Sequence, residues 1–420
     1  MNIRSGSWLN TLDQWLVLLV LASLPLFSIR GFTFGISATV IVLAVILLRS
    51  LLSTKLGRNA IASFNRFDVL IVVYLAIAAV SGVATTNQIW LDALIGSTAY
   101  FLLYVGFKIH LCRIPEERIF DLCVYGVQIG VVIYLAIALY ALVQTGSLSF
   151  SSFTYYSFTF RIYASIHQVF GDSAIDQFSS RDIMRNTIGE GFAFFAIVMY
   201  AALLKKYRYA SYFLVLTLLI VLLTFSRRAL VEVVVGYFVV SYMFQSFRTN
   251  KMQLFLGVAL VSVVLWYAFS GAVEYEHRFS LGQTQGRLEH YAEGFSELSR
   301  NVIFGVGYAE KVGGIKHFHN FVGGSFYMLG VAGLILSFFI YGYIFKYFIR
   351  YARQRNQYAI FAVVPLVGPM VSSLVDGLFG PIVWISLGFL WRYSARGPLD
   401  HVMPVAMQSN TVRNRIVRRW

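Results

Sequence analysis

Twelve apolar runs, separated by charged or turn-forming breaks, dominate this 420-residue sequence. They lie near 12–29, 32–53, 67–85, 90–107, 120–143, 187–204, 209–225, 229–246, 253–270, 319–345, 356–374 and 380–395. About 20 apolar residues span a hydrocarbon core of ~30 Å. In lipid every backbone polar group must be satisfied within the chain, which favours helices. The chain therefore reads as an all-α integral membrane protein of about twelve transmembrane helices, a single polytopic domain over residues 1–420. Only 13% of residues are charged and 58% are hydrophobic; ordinary soluble domains carry about 25% charge. A soluble enzyme, a disordered chain and a disulfide scaffold are excluded. The first run follows Arg4 without a small-residue cleavage site, so it reads as a retained helix. Cys112 and Cys123 read as reduced structural thiols.

Orientation follows from the basic residues. With the N-terminus inside, the inner segments hold Arg49, Lys55, Arg58 and Arg66, then Lys108, Arg113 and Arg118, then Lys205, Lys206 and Arg208. They continue with Arg248 and Lys251, and with Lys346, Arg350, Arg353 and Arg355. Every inner loop is basic, as the positive-inside rule requires. Both termini are then cytoplasmic, and the basic tail 396–420, ending Arg418-Arg419-Trp420, reads as a lipid-facing anchor. The net charge of +15 is accounted for by topology and points to no nucleic acid. The informative cations are those left on the outer side, where topology gives no reason for them.

Two outer loops are long: 144–186, and 271–318, which carries most of the outer charge. Connections of that length are usually functional. No internal repeat is evident, which weighs against an inverted-repeat transporter. G-x-x-x-G at Gly31/Gly35 and Gly126/Gly130 reads as helix packing.

Three constellations carry chemistry. Thr224-Phe225-Ser226-Arg227-Arg228-Ala229 puts two arginines in a tight outer turn at a helix N-terminus, where free N–H groups and the dipole favour an anion. The planar guanidinium suits phosphate. Glu232, four residues after Arg228, offers that arginine a purely structural partner; Arg227 has none of that kind. Gly286-Arg287-Leu288-Glu289-His290-Tyr291 opens an amphipathic stretch with Leu288, Ala292, Phe295 and Leu298 at helical spacing. A short helix on the membrane surface is expected there. Glu289, Glu293 and Glu297 form an acidic stripe, ordinarily a solvated face, while Arg287, His290 and Tyr291 share another. His317-Phe318-His319-Asn320 stands at the outer mouth of span ten. A histidine there is a proton acceptor at neutral pH or merely an interfacial polar group. A zinc site is disfavoured, because His317 and His319 lack a matched ligand set. Asp92, Glu190 and Asp376 lie near outer helix ends and are weaker candidates. Arg161, Arg181 and Arg185 in the first long loop read equally as substrate contacts or loop charge.

Taken together, these motifs resemble the O-antigen ligase family and the related O-antigen and exopolysaccharide polymerases. T-x-S-R is matched by Thr224, Ser226 and Arg227; the family usually has Gly next, where this chain has Arg228. G-R-x-E-x-aromatic with a following F-G-V-G is matched by Gly286, Arg287, Glu289, Tyr291 and Phe304-Gly305-Val306-Gly307. The ligase pattern H-N-x9-G-x-x-G is matched by His319, Asn320, Gly330 and Gly333. The resemblance implies a multi-pass protein of the bacterial inner membrane with its site facing the periplasm. It implies an inverting transfer, without metal or cofactor, of a glycan from undecaprenyl pyrophosphate to a hydroxyl of lipid A-core. By resemblance Arg227 and Arg287 stabilise the departing pyrophosphate and His319 is the general base. Arg228, Asn320, His317, Glu289, His290, Tyr291 and Arg185 are the further substrate-binding candidates. A pyrophosphate leaves as a stable anion, so no general acid is needed, in contrast to the paired carboxylates of glycosidases. A polymerase that uses the same donor with a lipid-linked repeat as acceptor is the alternative, favoured by the two long loops. A secondary transporter is the alternative of another class.

Overall fold

The computed structural model describes residues 6–24, 38–52, 64–83, 89–146, 165, 169, 177–224, 226–244, 292–299, 301–308, 321–371 and 380–392. Every element among them is helical. The helices are α1 (Gly6–Ser23), α2 (Ala38–Leu52), α3 (Arg66–Val83), α4 (Ile89–Leu111), α5 (Glu116–Gln144), α6 (Gln177–Leu204), α7 (Ala210–Thr224) and α8 (Arg227–Met243). They continue with α9 (Phe321–Arg353), a 3₁₀ turn (Gln357–Ala362), α10 (Val363–Val371) and α11 (Pro381–Arg392). A further short helix covers 292–298. The expected span 253–270 and tail 396–420 lie outside the described residues.

Among the described residues, four helices are long and apolar enough to cross a membrane, beside several shorter apolar ones. Burial separates centre from periphery. Residues 188–202 of α6 and 381–392 of α11 are buried on every side, as expected of helices apolar all round. The outer helices turn large apolar side chains outward, among them Leu51, Leu52, Val80, Val83, Val215 and Leu219. In water so extensive an apolar surface is unfavourable; against lipid tails it costs nothing. Small residues set the close approaches: a Cβ at Gly126 would meet Leu21 at 2.7 Å, and one at Gly130 would meet Phe195 at 3.0 Å. The G-x-x-x-G reading as packing therefore holds at this pair.

Charged side chains gather at one end of the bundle. Arg49 Nε donates to Asp13 Oδ1 at 2.6 Å. Lys108 pairs with Asp68, which also accepts from Tyr104 Oη at 2.9 Å. Asn65 and Asp68 cap α3 reciprocally, at 2.7 and 3.1 Å. Buried Arg392 donates through Nε to the carbonyl of Leu111 at 2.9 Å. Such interior charges are tolerated because each is paired and hydrogen-bonded. The sequence reading assigns this end to the cytoplasm.

Two expected spans are not simple helices. The run 356–374 begins as a 3₁₀ turn because Pro365 has no N–H to donate to Phe361. The Phe361 carbonyl accepts from Ser386 Oγ of α11 at 2.7 Å instead. The run 319–345 is broken at Gly330 (φ 62, ψ −151). A straight helix from 321 to 341 would be ~30 Å long, yet the rings of Phe321 and Tyr341 are centred 5.6 Å apart. Helix α9 is thus a hairpin, 321–329 folded back on 331–353, and it replaces the uninterrupted span ten expected from hydropathy. α6 also begins ten residues ahead of its apolar run, so Arg181 and Arg185 fall on helical backbone.

Candidate active site

The T-x-S-R turn links α7 to α8, and its hydroxyls build it. Ser226 is the N-cap of α8, accepting from the Ala229 N–H at 3.4 Å. Thr224 Oγ1 accepts from the Ser226 N–H at 3.3 Å and donates to the Val221 carbonyl at 2.7 Å. The turn rests on Gly189 of α6, where a Cβ would stand 2.8 Å from both Ser226 Cβ and Thr224 Oγ1. Arg227 is the first residue of α8; its side chain is outside the described part.

Arg228 turns inward. Its Nε donates to Glu232 Oε1 at 3.0 Å, and a terminal nitrogen pairs with Glu190 of α6. The local partner Glu232 was expected from the i, i+4 spacing; Glu190 was weighed only as an isolated acid. α10 opposes the guanidinium with Gly368, where any Cβ would overlap it. One cation on α8 thus faces two carboxylates, one from α8 and one from α6, with α10 packed over it. Glu232 Oε2 and the hydroxyl of Tyr341 are buried without a hydrogen-bond partner among the described residues. Tyr341 lies within electrostatic reach of Arg228.

The same Tyr341 touches the third motif. Phe321, two residues after His319, is fully buried between Tyr341 and Tyr74 of α3, whose ring centre is 5.8 Å away. Tyr74 Oη bonds Ser325 Oγ at 3.0 Å. Tyr341 thus packs on the start of α9 and lies within electrostatic reach of Arg228. His317, His319 and Asn320 lie outside the described residues, but the chain must leave them into this anchored helix.

The F-G-V-G segment docks where the hairpin opens. Val306 N–H donates to the Tyr327 carbonyl at 2.8 Å, and Gly307 N–H to the Met328 carbonyl at 3.1 Å. Across the break, Val331 N–H donates to the Val302 carbonyl at 3.0 Å, and Ser81 Oγ of α3 bonds Met328 at 3.1 Å. The break frees backbone groups that the loop then satisfies, as irregular backbone inside apolar surroundings requires. The motif glycines are what permit it. Gly330 adopts a conformation essentially closed to other residues, and Gly305 (φ 76) lies against the Met328 backbone. A Cβ on Gly333 would overlap the Ser325 carbonyl of the opposite arm.

Helix 292–298 is docked on the same arm. Tyr327 Oη donates to Glu297, Leu298 is buried against Tyr327, and the rings of Phe295 and Phe326 are 6.3 Å apart. The expected helix exists, and one glutamate of its acidic stripe is bonded rather than solvated. Tyr308, just after F-G-V-G, bonds Ser97 Oγ of α4 at 2.8 Å. Burial raises its phenol above the ordinary value while the Ser97 contact draws it back, so it serves as a neutral hydrogen-bonding group. Arg287, Glu289, His290 and Tyr291 lie outside the described residues, as do the side chain of Arg185 and Asp376. Sequence reasoning missed Gly189, Gly368, Tyr74 and Tyr341, which touch the motifs only through tertiary packing.

The geometry pins F-G-V-G to the hairpin of H-N-x9-G-x-x-G, and Tyr341 of that hairpin lies within electrostatic reach of Arg228 in the T-x-S-R turn. Residues 212–338 match the family model described as O-Antigen ligase. No match was found among curated proteins. The matched stretch runs from α7 through the hairpin break; over it the chain is similar to the O-antigen ligase family, which supports a function of the O-antigen ligase or polymerase type.

Proposed function

We propose that the protein transfers a glycan from undecaprenyl pyrophosphate to a sugar hydroxyl of lipid A-core at the periplasmic face of the bacterial inner membrane. The observation that carries this reading is the hairpin at Gly330. It ties the F-G-V-G segment, downstream of Arg287, to the helix that begins directly after His319 and Asn320. Arg228 of the T-x-S-R turn lies within electrostatic reach of Tyr341 on the same hairpin. In this reading the three stretches of chain converge on one site, away from the basic cluster.

In this reading Arg227 and Arg287 face the pyrophosphate. Preorganised cations stabilise charge that develops as the bond to the anomeric carbon breaks. Arg228, held by two carboxylates, acts on the turn rather than on the leaving group, and so fixes where Arg227 emerges. His319 removes the proton of the acceptor hydroxyl as the oxygen attacks the anomeric carbon from the face opposite the pyrophosphate, inverting it. Asn320 and His317 orient the acceptor. Glu289, His290, Tyr291 and Arg185 line the approach, and no metal or cofactor takes part. General-base catalysis contributes about 10²–10⁴-fold, so loss of His319 leaves a slow residual reaction.

The test is the surface lipopolysaccharide banding of a strain lacking this gene, complemented with wild type or His319→Ala. Core lipid without O-chains, with long lipid-linked glycan accumulating, supports the ligase. Core lipid capped by one repeat moves the assignment to a polymerase, which the long loop 144–186 favours. An unchanged ladder overturns both.

A further inference from the structure

The basic end of the bundle holds two adjoining cavities that the proposed chemistry does not use. One, of about 620 Å³, is lined by Lys205, Arg350 and Arg355 together with the amides of Gln354, Asn356 and Gln357. The other, of about 430 Å³, is lined by Lys346, Arg350 and Arg353. Arg350 belongs to both. The acid among these lining residues is Glu116, itself 3.9 Å from Arg392. Topology asks only that inner loops be basic. It does not ask that cations from the α6–α7 turn and from the end of α9 meet around one hollow.

The face of α9 leading to the cavities is equally specific. Val331, Ile335, Phe338, Phe339 and Phe345 are all exposed, and helical spacing puts them on one side. The same side continues into Lys346, Arg350 and Arg353, so it changes from apolar to cationic between Phe345 and Lys346. From Val331 to Lys346 the helix rises about 22 Å, more than the ~15 Å of hydrocarbon in one leaflet. The turns beside the hollow are held rigidly. Lys206 (φ 61) and Arg355 (φ 52) occupy left-handed positions after α6 and α9. The returning N–H of Tyr207 bonds the Ala202 carbonyl at 3.0 Å, and that of Asn356 bonds the Tyr351 carbonyl at 2.9 Å. Glycine is the usual residue at such a helix end; a cation stands at both here.

We infer that this groove is a binding site for an anionic phospholipid, with an acyl chain along the exposed face of α9 and the headgroup phosphate on Arg350, flanked by Lys346, Arg353 and Arg355. Arginine supplies the planar fork for phosphate oxygens, and cations at the leaflet surface add to the attraction for anionic lipid. The site lies at the opposite end from the transfer chemistry and does not depend on it.

The test is native mass spectrometry of the full-length protein in neutral detergent, titrated with phosphatidylglycerol or with phosphatidylcholine of the same chains. Phosphatidylglycerol is expected to be retained preferentially, and the preference to fall as salt rises. Lys346→Gln with Arg350→Gln should weaken retention about 10- to 30-fold at roughly one cation's attraction each. Lys346→Arg with Arg350→Lys should keep most of it. Equal retention of the two lipids by the wild type overturns the site without reference to any variant. So does unchanged retention in the glutamine pair. Displacement of phosphatidylglycerol by millimolar inorganic phosphate, without regard to acyl chains, overturns the lipid assignment in favour of a soluble anion.

Discussion

Val306 donates its backbone N–H to the carbonyl of Tyr327 at 2.8 Å, so a loop strand closes a helix that Gly330 has opened. The conformation of Gly330 is essentially glycine's alone, and the backbone of Val302 and Ile303 fills the place of a side chain. Gly330→Ala is expected to destabilise the protein by at least ~1–3 kcal/mol from backbone strain, and to abolish glycan transfer by undocking F-G-V-G. Gly342, further along α9, has nothing within 4 Å of a notional Cβ. Gly342→Ala should be neutral or stabilising by up to ~1 kcal/mol. Thermal unfolding of both variants in detergent checks the contrast; equal behaviour would show that the break is not structural.

Arg228 balances two carboxylates, and removing it leaves both buried. Breaking a buried pair from one side costs about 3–5 kcal/mol. Arg228→Leu should therefore be more damaging to stability than Glu232→Gln, which keeps shape and leaves the Glu190 pair. Glu190→Gln and Glu232→Gln should be strongly non-additive, because they share one guanidinium. Unfolding midpoints of the singles and the double measure this. Additive losses would place the two acids outside one network.

Arg227 and Arg228 are adjacent yet should fail differently. Arg227→Ala is expected to leave the unfolding curve within about 0.5 kcal/mol of wild type, as for surface changes, while transfer falls by at least the ~10²-fold typical of a lost transition-state donor. Arg228→Ala should lose stability and transfer together. Parallel melting and single-turnover transfer assays separate the cases. A destabilised Arg227→Ala protein would contradict the assignment of that side chain to the pyrophosphate.

The helical membrane fold was legible in hydropathy, because period and length alone decide whether a segment can sit in lipid. So were the Arg228–Glu232 spacing and a helix in the stretch that holds 292–298, both of which depend on neighbours within four residues. The hairpin was not. No charged residue falls between Phe321 and Phe345, and hydropathy does not register a reversal at one glycine. The pairing of Glu190 with Arg228 joins residues 38 apart in sequence, and no local pattern announces it. Gly189 and Gly368 matter only through what faces them. The glycines of H-N-x9-G-x-x-G stood out by resemblance, yet their physical role, folding the chain back and receiving the loop, became visible only in three dimensions.

The Tyr327–Glu297 hydrogen bond should help hold helix 292–298 to α9 inside an apolar frame. Tyr327 is 1% exposed and its hydroxyl is bonded to Glu297, while Leu298, 2% exposed, packs on the same ring. A hydrogen bond to a charged group contributes about 1.5–3 kcal/mol, and a buried partner left alone costs more than a pair removed together. Tyr327→Phe removes the donor to Glu297, and Glu297→Leu removes the acceptor of the phenol. The double variant removes both and should recover part of the loss, a coupling of about 0.5–3 kcal/mol. Limited proteolysis within 292–299 reads the local opening directly, since cleavage follows the population of the undocked helix. Faster cleavage in each single variant, with partial protection in the double, is the expected pattern. Because this helix follows Arg287 and precedes F-G-V-G, the same variants should raise the substrate concentration needed for half-maximal transfer before they lower the maximal rate. Unaltered proteolysis in both singles would mean that the apolar contacts of Phe295 and Leu298 hold the helix alone.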